Sequence, residues 1–401
     1  MSVPLDRLYH YLADCVNHDL LIYGWFPHGS RNLEDLDQLK DYSEFEWYNS
    51  PVAVFHDQEP LDYNRYSQEQ IYQHAKKFFE LQSPIMLKDS ILDYVSRQHI
   101  RGATGLSVNN YDLTMLVHSE QRSLEVAKFC KSGFVPVYYW SHAVIAQDWF
   151  RYAEHDPVLT FDPVKIQQDF LIYNRAWSGT REYRLCFAEQ LLAHGLQQHC
   201  NISFNPEDGE HYSTHEFTNS DFKIVNYNLH DELPLNTHNA TASADYCSED
   251  YATTGIEIVL ETLFDDSRWH LTEKTLRPIA CGQPFILMAT AGSLQYLQQY
   301  GFETFGNLID ESYDQITNSR QRLQAVTAEM HRISKLDAES KTQLFIALHK
   351  IAERNKQRFF NGLFDQVIQE YKTNVDQAIT IMQQHCTGQH RAVIRRLLEQ
   401  N

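Results

Sequence analysis

The sequence IVLET at residues 258–262, followed by WHLTEKTLRPIACGQPFIL at residues 269–287, predicts a strand, a loop, a short helix and a second strand. The first apolar run ends in a carboxylate at Glu261, and Thr272 is a residue type that caps helices through its hydroxyl. Gly282 suits the left-handed turn that ends a helix, and an apolar run follows it. The stretch therefore predicts one strand-helix-strand repeat of an α/β fold.

The charges of the predicted helix lie near its start. Glu273, Lys274 and Arg277 occupy its first two turns, and two cations beside a helix N-terminus are suited to binding a diphosphate. The alternative is a solvent-exposed face whose charges balance the helix dipole. Because two apolar strands flank the segment, we expect these charges at the carboxyl end of a sheet, where open α/β folds bind ligands.

Strands and helices alternate along the rest of the chain. Apolar runs predict strands at 19–26, 51–55, 113–118, 134–140 and 169–173, and helices at 119–131 and 180–194. From Asp314 onward, apolar residues recur at three- and four-residue spacing, which is typical of helices. The alternation predicts an α/β fold with parallel, doubly wound sheets.

Prolines and charged residues at 149–163 are typical of a linker. The predicted domains are an N-terminal Rossmann-like domain at 1–160, a second Rossmann-like domain at 161–315 and C-terminal helices at 316–401. The stretch 205–254 is rich in Asn, Asp, His, Ser and Thr, so it is predicted as loops around one strand at 222–226.

Composition limits the classes of partner. The chain has 401 residues, with 34 Lys and Arg against 53 Asp and Glu and a formal charge of -19. Such a charge repels a polyanion, although a local basic cleft would still allow nucleic acid to bind. The seven cysteines are scattered without a C-x-x-C pair, so neither a disulfide framework nor a zinc site is predicted, and a reducing cytoplasm is expected. No apolar run approaches the ~18 residues of a membrane span, so we expect a soluble protein.

The opening stretch resembles the nucleotide-sugar signature of fucosyltransferase-like, GT-B glycosyltransferases, including uncharacterised phage and bacterial members. In that signature a Glu at a strand end precedes an aromatic-aliphatic-Thr-Glu-Lys helix and a Gly-x-Pro-aliphatic strand. The matching positions are Glu261, Thr272, Glu273, Lys274, Gly282 and Pro284. The resemblance covers residues 165–315 well and the N-terminal half in outline. It departs from the family at 263–268, LFDDSR, where an Asn-Ser pair usually follows the Glu.

The resemblance implies two Rossmann-like domains that face a cleft, with a C-terminal helical segment packing back on them. It implies an inverting, metal-independent hexosyl-, fucosyl- or pentosyltransferase without a tightly bound cofactor, whose donor is a nucleoside-diphosphate sugar such as a UDP- or GDP-sugar. The acceptor would be a hydroxyl of a glycan, a small molecule or a hydroxymethylated DNA base, in the host cytoplasm if the chain is phage-encoded. The alternative is a non-catalytic protein that binds sugar nucleotides or glycans.

Sugar transfer needs cations that neutralise the leaving diphosphate. The predicted donor-binding residues are Arg175, Arg181, Glu261, Thr272, Glu273, Lys274 and Arg277. Arg181 and Arg184 have an alternative role in surface ion pairs with Glu182 or Glu189. Glu261 is expected to bind ribose or sugar hydroxyls, because an unpaired buried carboxylate is costly.

The acceptor hydroxyl must lose a proton, which requires a base. The sequence HDQEP at 56–60 places titratable side chains directly after a predicted strand. The resemblance implies a carboxylate from the N-terminal domain, so Glu59 and Asp57 are the predicted catalytic residues. The alternative is a turn in which Asp57 caps its own backbone. His142 and His28 are the next candidates for the base.

Motifs of several other enzyme classes are absent from the sequence. There is no G-x-x-x-x-G-K-[ST] loop, no G-x-S-x-G nucleophile, no G-x-G-x-x-G and no H-E-x-x-H. No Asp-x-Asp follows a predicted strand, which argues against a metal-dependent GT-A transferase. The 20 histidines are dispersed along the chain, so no metal site is predicted.

Overall fold

The computed structural model describes residues 23–25, 53–56, 60–61, 63, 114–131, 134–174, 181–204, 222 and 245–385. The chain divides into two compact units. Unit 1 combines the chain up to Ser141 with the chain from Val367, and unit 2 runs from His142 to Gln366. Each unit has its own four-stranded parallel sheet. The predicted α/β class with parallel sheets is confirmed.

Unit 1 contains a sheet with strand order β1-β2-β3-β4. Its elements are β1 (Tyr23–Trp25), β2 (Ala53–His56), β3 (Thr114–His118), α1 (Leu124–Lys131) and β4 (Val135–Tyr138). Helix α1 begins later than predicted, because Glu120 belongs to a loop and its Oε1 accepts the N–H of Leu61 at 2.6 Å. The hydroxyl of Ser123 then accepts the N–H of Val126 at 3.2 Å, as a helix cap does.

Unit 2 contains a sheet with strand order β6-β5-β7-β8. Its strands are β5 (Gln168–Asn174), β6 (Cys200–Phe204), β7 (Thr254–Leu260) and β8 (Phe285–Met288). The helices that follow α1 are α2 (Ser141–Trp149), α3 (Tyr183–Ala193), α4 (Ser248–Ala252), α5 (Glu273–Cys281), α6 (Ser293–Gln299), α7 (Ser319–Ser334), α8 (Ala338–Phe360) and α9 (Leu363–His385). No helix in the described parts of the chain has the length and apolarity of a membrane span.

Helix α9 begins in unit 2, and its residues from Val367 onward belong to unit 1. There, Nδ2 of Asn374 donates to the carbonyl of Tyr138 at 2.7 Å. The rings of Tyr371 and Tyr139 meet edge to face with centroids 5.0 Å apart. The middle of α9 therefore packs beside the carboxyl end of β4.

The sheet of unit 2 has a topological switch point between β5 and β7. From β5 the chain moves to β6 on one side, and then returns to form β7 on the other side. Connections that leave in opposite directions open a crevice at the carboxyl ends of the two strands, which is where ligands bind in such folds. Strand β7 is buried along its whole length, as a central strand requires.

The predicted caps of α5 are confirmed. The hydroxyl of Thr272 accepts the N–H of Lys274, and Gly282 ends the helix with a φ of 71°. Position 255 in β7 requires glycine, because the ring of Phe345 in α8 approaches the strand closely there. An added Cβ would lie 2.5 Å from that ring. The periodic residues Leu323, Val326, Met330 and Ile333 are buried, as the helical spacing predicts.

Some elements differ from the sequence predictions. Strand β6 and the short helices α4 and α6 were not predicted, because each has only five to seven residues and little periodicity. Residues 149–163 lie inside unit 2 and form 3-10 turns at Arg151–Glu154 and Pro157–Leu159. Of the strand predicted at 222–226, only Phe222 lies among the described residues.

Candidate functional site

Glu261 follows β7 at the switch point, and its carboxylate holds the start of α5. Its Oε1 accepts the N–H of Thr272 at 2.9 Å, the N–H of Thr275 at 3.2 Å and the hydroxyl of Thr275 at 2.5 Å. Its Oε2 accepts the N–H of Thr262 at 3.0 Å and the hydroxyl of Thr272 at 2.8 Å. Five protein donors thus surround a fully buried carboxylate and compensate for its lost hydration.

These contacts correct the predicted role of Glu261. A carboxylate offers about four lone-pair positions, and the five protein donors occupy them instead of sugar hydroxyls. The same contacts use the N–H groups of Thr272 and Thr275, which the predicted diphosphate site at the helix N-terminus required. Glu261 and Thr272 therefore position α5, and a side chain of the protein already caps its N-terminus.

Lys274 presents its ammonium group at this edge of the sheet. Its Nζ lies 2.8 Å from Oε1 of Glu273, 3.2 Å from the hydroxyl of Thr272 and 3.4 Å from the hydroxyl of Thr262. The side chain of Lys274 retains 20% of its exposure, whereas that of Glu273 retains 7%. Three acceptors therefore hold the ammonium in place, and the side chain as a whole remains partly exposed.

Glu273 also lies beside His142, and the ring of His142 in turn meets that of His270. Nδ1 of His142, near the start of α2, lies 3.3 Å from Oε2 of Glu273. The ring of His270 meets that of His142 edge-on, with centroids 5.3 Å apart. Burial alone would raise the pKa of Glu273, but Lys274 and His142 hold that pKa well below its usual value. Burial, and after it the nearby His142, holds the pKa of His270 well below its usual value.

Arg277, which the sequence predicted to contact a diphosphate, is paired with a carboxylate of the protein in this structure. Its Nη2 donates to Oε1 of Glu257 in β7 at 2.7 Å, and its Nε donates to the hydroxyl of Tyr251 at 3.0 Å. The guanidinium also lies 4.5 Å from the ring centre of Tyr173. Burial opposes the charge, but the Glu257 carboxylate outweighs it and the pKa of Arg277 is well above its usual value. The side chain neutralises a buried strand carboxylate.

Arg181 and Arg184 are both buried, so the alternative of surface ion pairs is also wrong. Nη2 of Arg184 donates to the carbonyls of Leu260 at 2.6 Å and Glu261 at 2.8 Å, and its Nη1 donates to Oδ1 of Asn174 at 3.2 Å. Arg184 thereby ties the carboxyl ends of β5 and β7 together. Arg181 lies near the same place, because its positive charge lowers the pKa of the nearby Tyr183. Burial raises the pKa of Tyr183 to about 12, and the charges of Arg184 and Arg181 oppose that rise.

Three buried polar side chains at the carboxyl edge have atoms without a hydrogen-bond partner among the described residues. These atoms are Nδ2 of Asn174, both ring nitrogens of His270 and Oγ1 of Thr290. Asn174 ends β5, Thr290 follows β8 by two residues, and His270 lies in the connection from β7 to α5. Buried groups of this kind usually bind a ligand or ordered water. Their position supports a binding site at this edge.

The remaining predicted residues, Arg175, Asp57, Glu59 and His28, lie outside the described residues. Within the described ranges, no group of three or more His, Cys, Asp or Glu side chains is placed to hold a metal ion. Comparison of the chain with protein-family models, with curated proteins and with solved structures finds no match.

The sequence analysis brought Glu261, Thr272, Glu273 and Lys274 to one place, as the structure has them, but it missed His270. His270 lies inside the quoted stretch and directly precedes Leu271 and the helix cap. A histidine that close to a predicted anion site was the available signal. Its neighbours Trp269 and Leu271 are apolar and buried, so the sequence around His270 indicated core packing instead of a site.

Proposed function

We propose that this chain is a GT-B-like, inverting glycosyltransferase that takes a sugar from a nucleoside-diphosphate sugar and transfers it to an acceptor hydroxyl. The donor diphosphate is bound at the carboxyl edge of the unit 2 sheet, next to Lys274. The observation that carries this proposal is Lys274, whose ammonium is anchored by three acceptors and whose side chain is partly exposed beside the switch point. Lysine binds phosphate as a point charge, and a charge-assisted contact of this kind is strong.

The chemistry requires positive charge where the leaving group forms. When the bond between the sugar and the diphosphate breaks, negative charge develops on the diphosphate, and preorganised cations stabilise it. Lys274 supplies one such charge, and the buried Arg181 near the end of β7 supplies a second. Arg175 remains a predicted third, from the loop that follows β5. Arg277 is excluded from this set because it is paired with Glu257.

The unpartnered polar atoms at the same edge support a ligand with several hydrogen-bonding groups. The amide nitrogen of Asn174 and the ring nitrogens of His270 are available to ribose or sugar hydroxyls. This assignment replaces Glu261 as the group that contacts those hydroxyls. The C-terminal helix supports the GT-B assignment, because α9 leaves unit 2 and its residues from Val367 pack in unit 1.

The acceptor we propose is a glycan or small molecule. The formal charge of -19 opposes approach of DNA, so a hydroxymethylated DNA base is the second candidate acceptor. The proposed base on the acceptor, Glu59 or Asp57, rests on the family resemblance.

A panel of UDP-, GDP- and dTDP-sugars in a thermal unfolding assay tests the donor assignment. A ligand present at 100 times its Kd stabilises the folded state by about 2.7 kcal/mol, which raises Tm measurably. Lys274→Ala should abolish most of the increase. Lys350→Ala, which removes an exposed lysine from α8, is the matched control and should leave it intact. If no nucleotide sugar in the panel raises Tm, the proposal is wrong.

A further inference from the structure

We propose that His270 binds the diphosphate of the donor as an imidazolium, and that its ring takes up one proton from solvent when the donor binds. The inference rests on the proposed glycosyltransferase function. It names a further residue of the donor site and makes donor binding depend on pH.

His270 is a buried ring whose nitrogens have no hydrogen-bond partner in the described parts of the chain. The residue is 3% exposed, and both Nδ1 and Nε2 are without a partner there. Polar groups at this depth are usually satisfied by a ligand or by ordered water. His270 precedes Thr272, the cap of α5, by two residues, so it lies at the edge of the sheet where the donor diphosphate is proposed to bind.

The two ring nitrogens distinguish a phosphate from a hydroxyl. A neutral imidazole has one N–H donor and one acceptor nitrogen, whereas an imidazolium has two donors. The charged oxygens of a diphosphate only accept hydrogen bonds, so they satisfy both nitrogens of His270 only when the ring is protonated. A ribose or sugar hydroxyl both donates and accepts, so it would satisfy the neutral ring. The two kinds of ligand group therefore differ by one bound proton.

The charged groups around His270 favour the diphosphate. Among the described residues, those that act on its ring are His142 from α2, Arg268 from the connection that follows β7, and Glu273 and Lys274 from α5. Both strong cations of this set are paired. Nζ of Lys274 lies 2.8 Å from Oε1 of Glu273, and Nη2 of Arg268 lies 2.8 Å from Oδ2 of Asp266. A diphosphate with two negative charges requires further positive charge here, and protonated His270 supplies it.

His270 is neutral before the donor binds. Burial is the largest reason that the pKa of His270 lies well below its usual value, and the nearby His142 is the next. The cations Arg268 and Lys274 act in the same direction, and Glu273 opposes them. Negative charges placed beside the ring raise its pKa. Donor affinity should therefore rise as pH falls through the pKa of the complex, and stop rising below the pKa of the free chain.

Isothermal titration with UDP-, GDP- and dTDP-hexoses, in two buffers that differ in their enthalpy of ionisation, measures the protons taken up. The phosphates of these donors lack the monoester ionisation near pH 6, so they do not titrate themselves. Wild type should take up as much as one proton per donor between about pH 8 and about pH 5.5, and its affinity should rise by up to about tenfold per unit fall in pH. His270→Gln, which keeps a donor and an acceptor in its amide, should lose this uptake.

The controls assign the proton to one ring. His155→Gln is the matched control, because the side chain of His155 is 85% exposed, and it should take up the proton as wild type does. Uptake that persists in His270→Gln, or that His142→Gln abolishes while His270→Gln retains it, would overturn the inference. If His270→Gln does not fold, His270→Asn is the second variant.

Spectra of ring-labelled histidine in the wild type give the same test without a substitution. One buried histidine should be neutral in the free chain and protonated with donor bound at about pH 6.5. Donor binding that protonates no histidine and takes up no proton would overturn the inference and leave the donor assignment standing. A wild-type chain that binds none of these sugars at any pH overturns the proposed function, and the inference with it.

Discussion

Lys274 and Arg277 stand three residues apart on α5, yet their environments differ. The Lys274 side chain is partly exposed at the carboxyl edge of the sheet, whereas the Arg277 side chain retains 7% exposure and faces a fully buried Glu257. Residues at this spacing share one helix face, so depth along the sheet distinguishes them. The start of α5 lies beside Glu261, and its next turn lies beside Glu257, which is about 13 Å back along β7. If the proposed function holds, the same charge serves binding at one level and folding at the other.

Arg277→Met should have the largest effect on this comparison. Removing the guanidinium leaves the Glu257 carboxylate buried without its counter-charge, which typically costs 3–5 kcal/mol, so we expect a loss of about 4 kcal/mol in the free energy of unfolding. Urea denaturation measures it. The double variant Glu257→Gln with Arg277→Met should recover most of the loss, because it removes the stranded charge and keeps an acceptor for the hydroxyl of Tyr251. A single variant within about 1 kcal/mol of wild type would contradict the assignment.

Glu261→Ala should have the next largest effect, since it strands the donors that the carboxylate holds. We expect about 3 kcal/mol of lost stability, most of it from the N–H groups of Thr272 and Thr275 at the buried start of α5. Glu261→Gln retains one acceptor oxygen and should lose less. Equal losses for the two variants would mean that one acceptor oxygen does not suffice, whereas a Glu261→Gln variant as stable as wild type would show that packing dominates.

The sequence predicted the fold class, the strand-helix-strand repeat and the position of Lys274 at the carboxyl end of the sheet. The sequence did not distinguish Arg277 from Lys274, because the partner of Arg277 is Glu257, which lies 20 residues earlier in the strand TGIEIVL. A carboxylate inside a strand that is otherwise apolar was the available signal, since a buried charge requires a counter-charge. The pairing of His142 with Glu273 joins residues far apart in sequence, so only the fold brings it out.

Lys274→Ala should reverse the pattern of Arg277→Met. The donor affinity should fall by about 1.5–3 kcal/mol through loss of a charge-assisted contact with phosphate. The free energy of unfolding should fall by less than in Arg277→Met, because Glu273 keeps its contact with His142 when Lys274 is lost. Isothermal titration with the donor identified by the thermal assay, together with urea denaturation, measures both. A variant that loses stability but binds donor normally would place Lys274 with Arg277 as a structural cation.

Glu273→Gln should have the smallest effect on stability, and one that depends on pH. The pKa of Glu273 is held well below the ordinary value of 4.5, so its folded form binds fewer protons than its unfolded form. The stability from its contacts with Lys274 and His142 is therefore fully present above the ordinary pKa and is lost as pH falls toward the folded pKa. Wild type and Glu273→Gln should differ most near neutral pH and converge in acid, as urea denaturation from about pH 7 to about pH 3 will measure.

Arg277 has a raised pKa and stays charged throughout this range, so the stability lost in Arg277→Met should not shrink through titration of the guanidinium. Curves for wild type and Glu273→Gln that stay parallel down to the lowest pH would mean that Glu273 is not held ionised by its neighbours, and the first turn of α5 would then lack the charged anchor on which the Lys274 site depends.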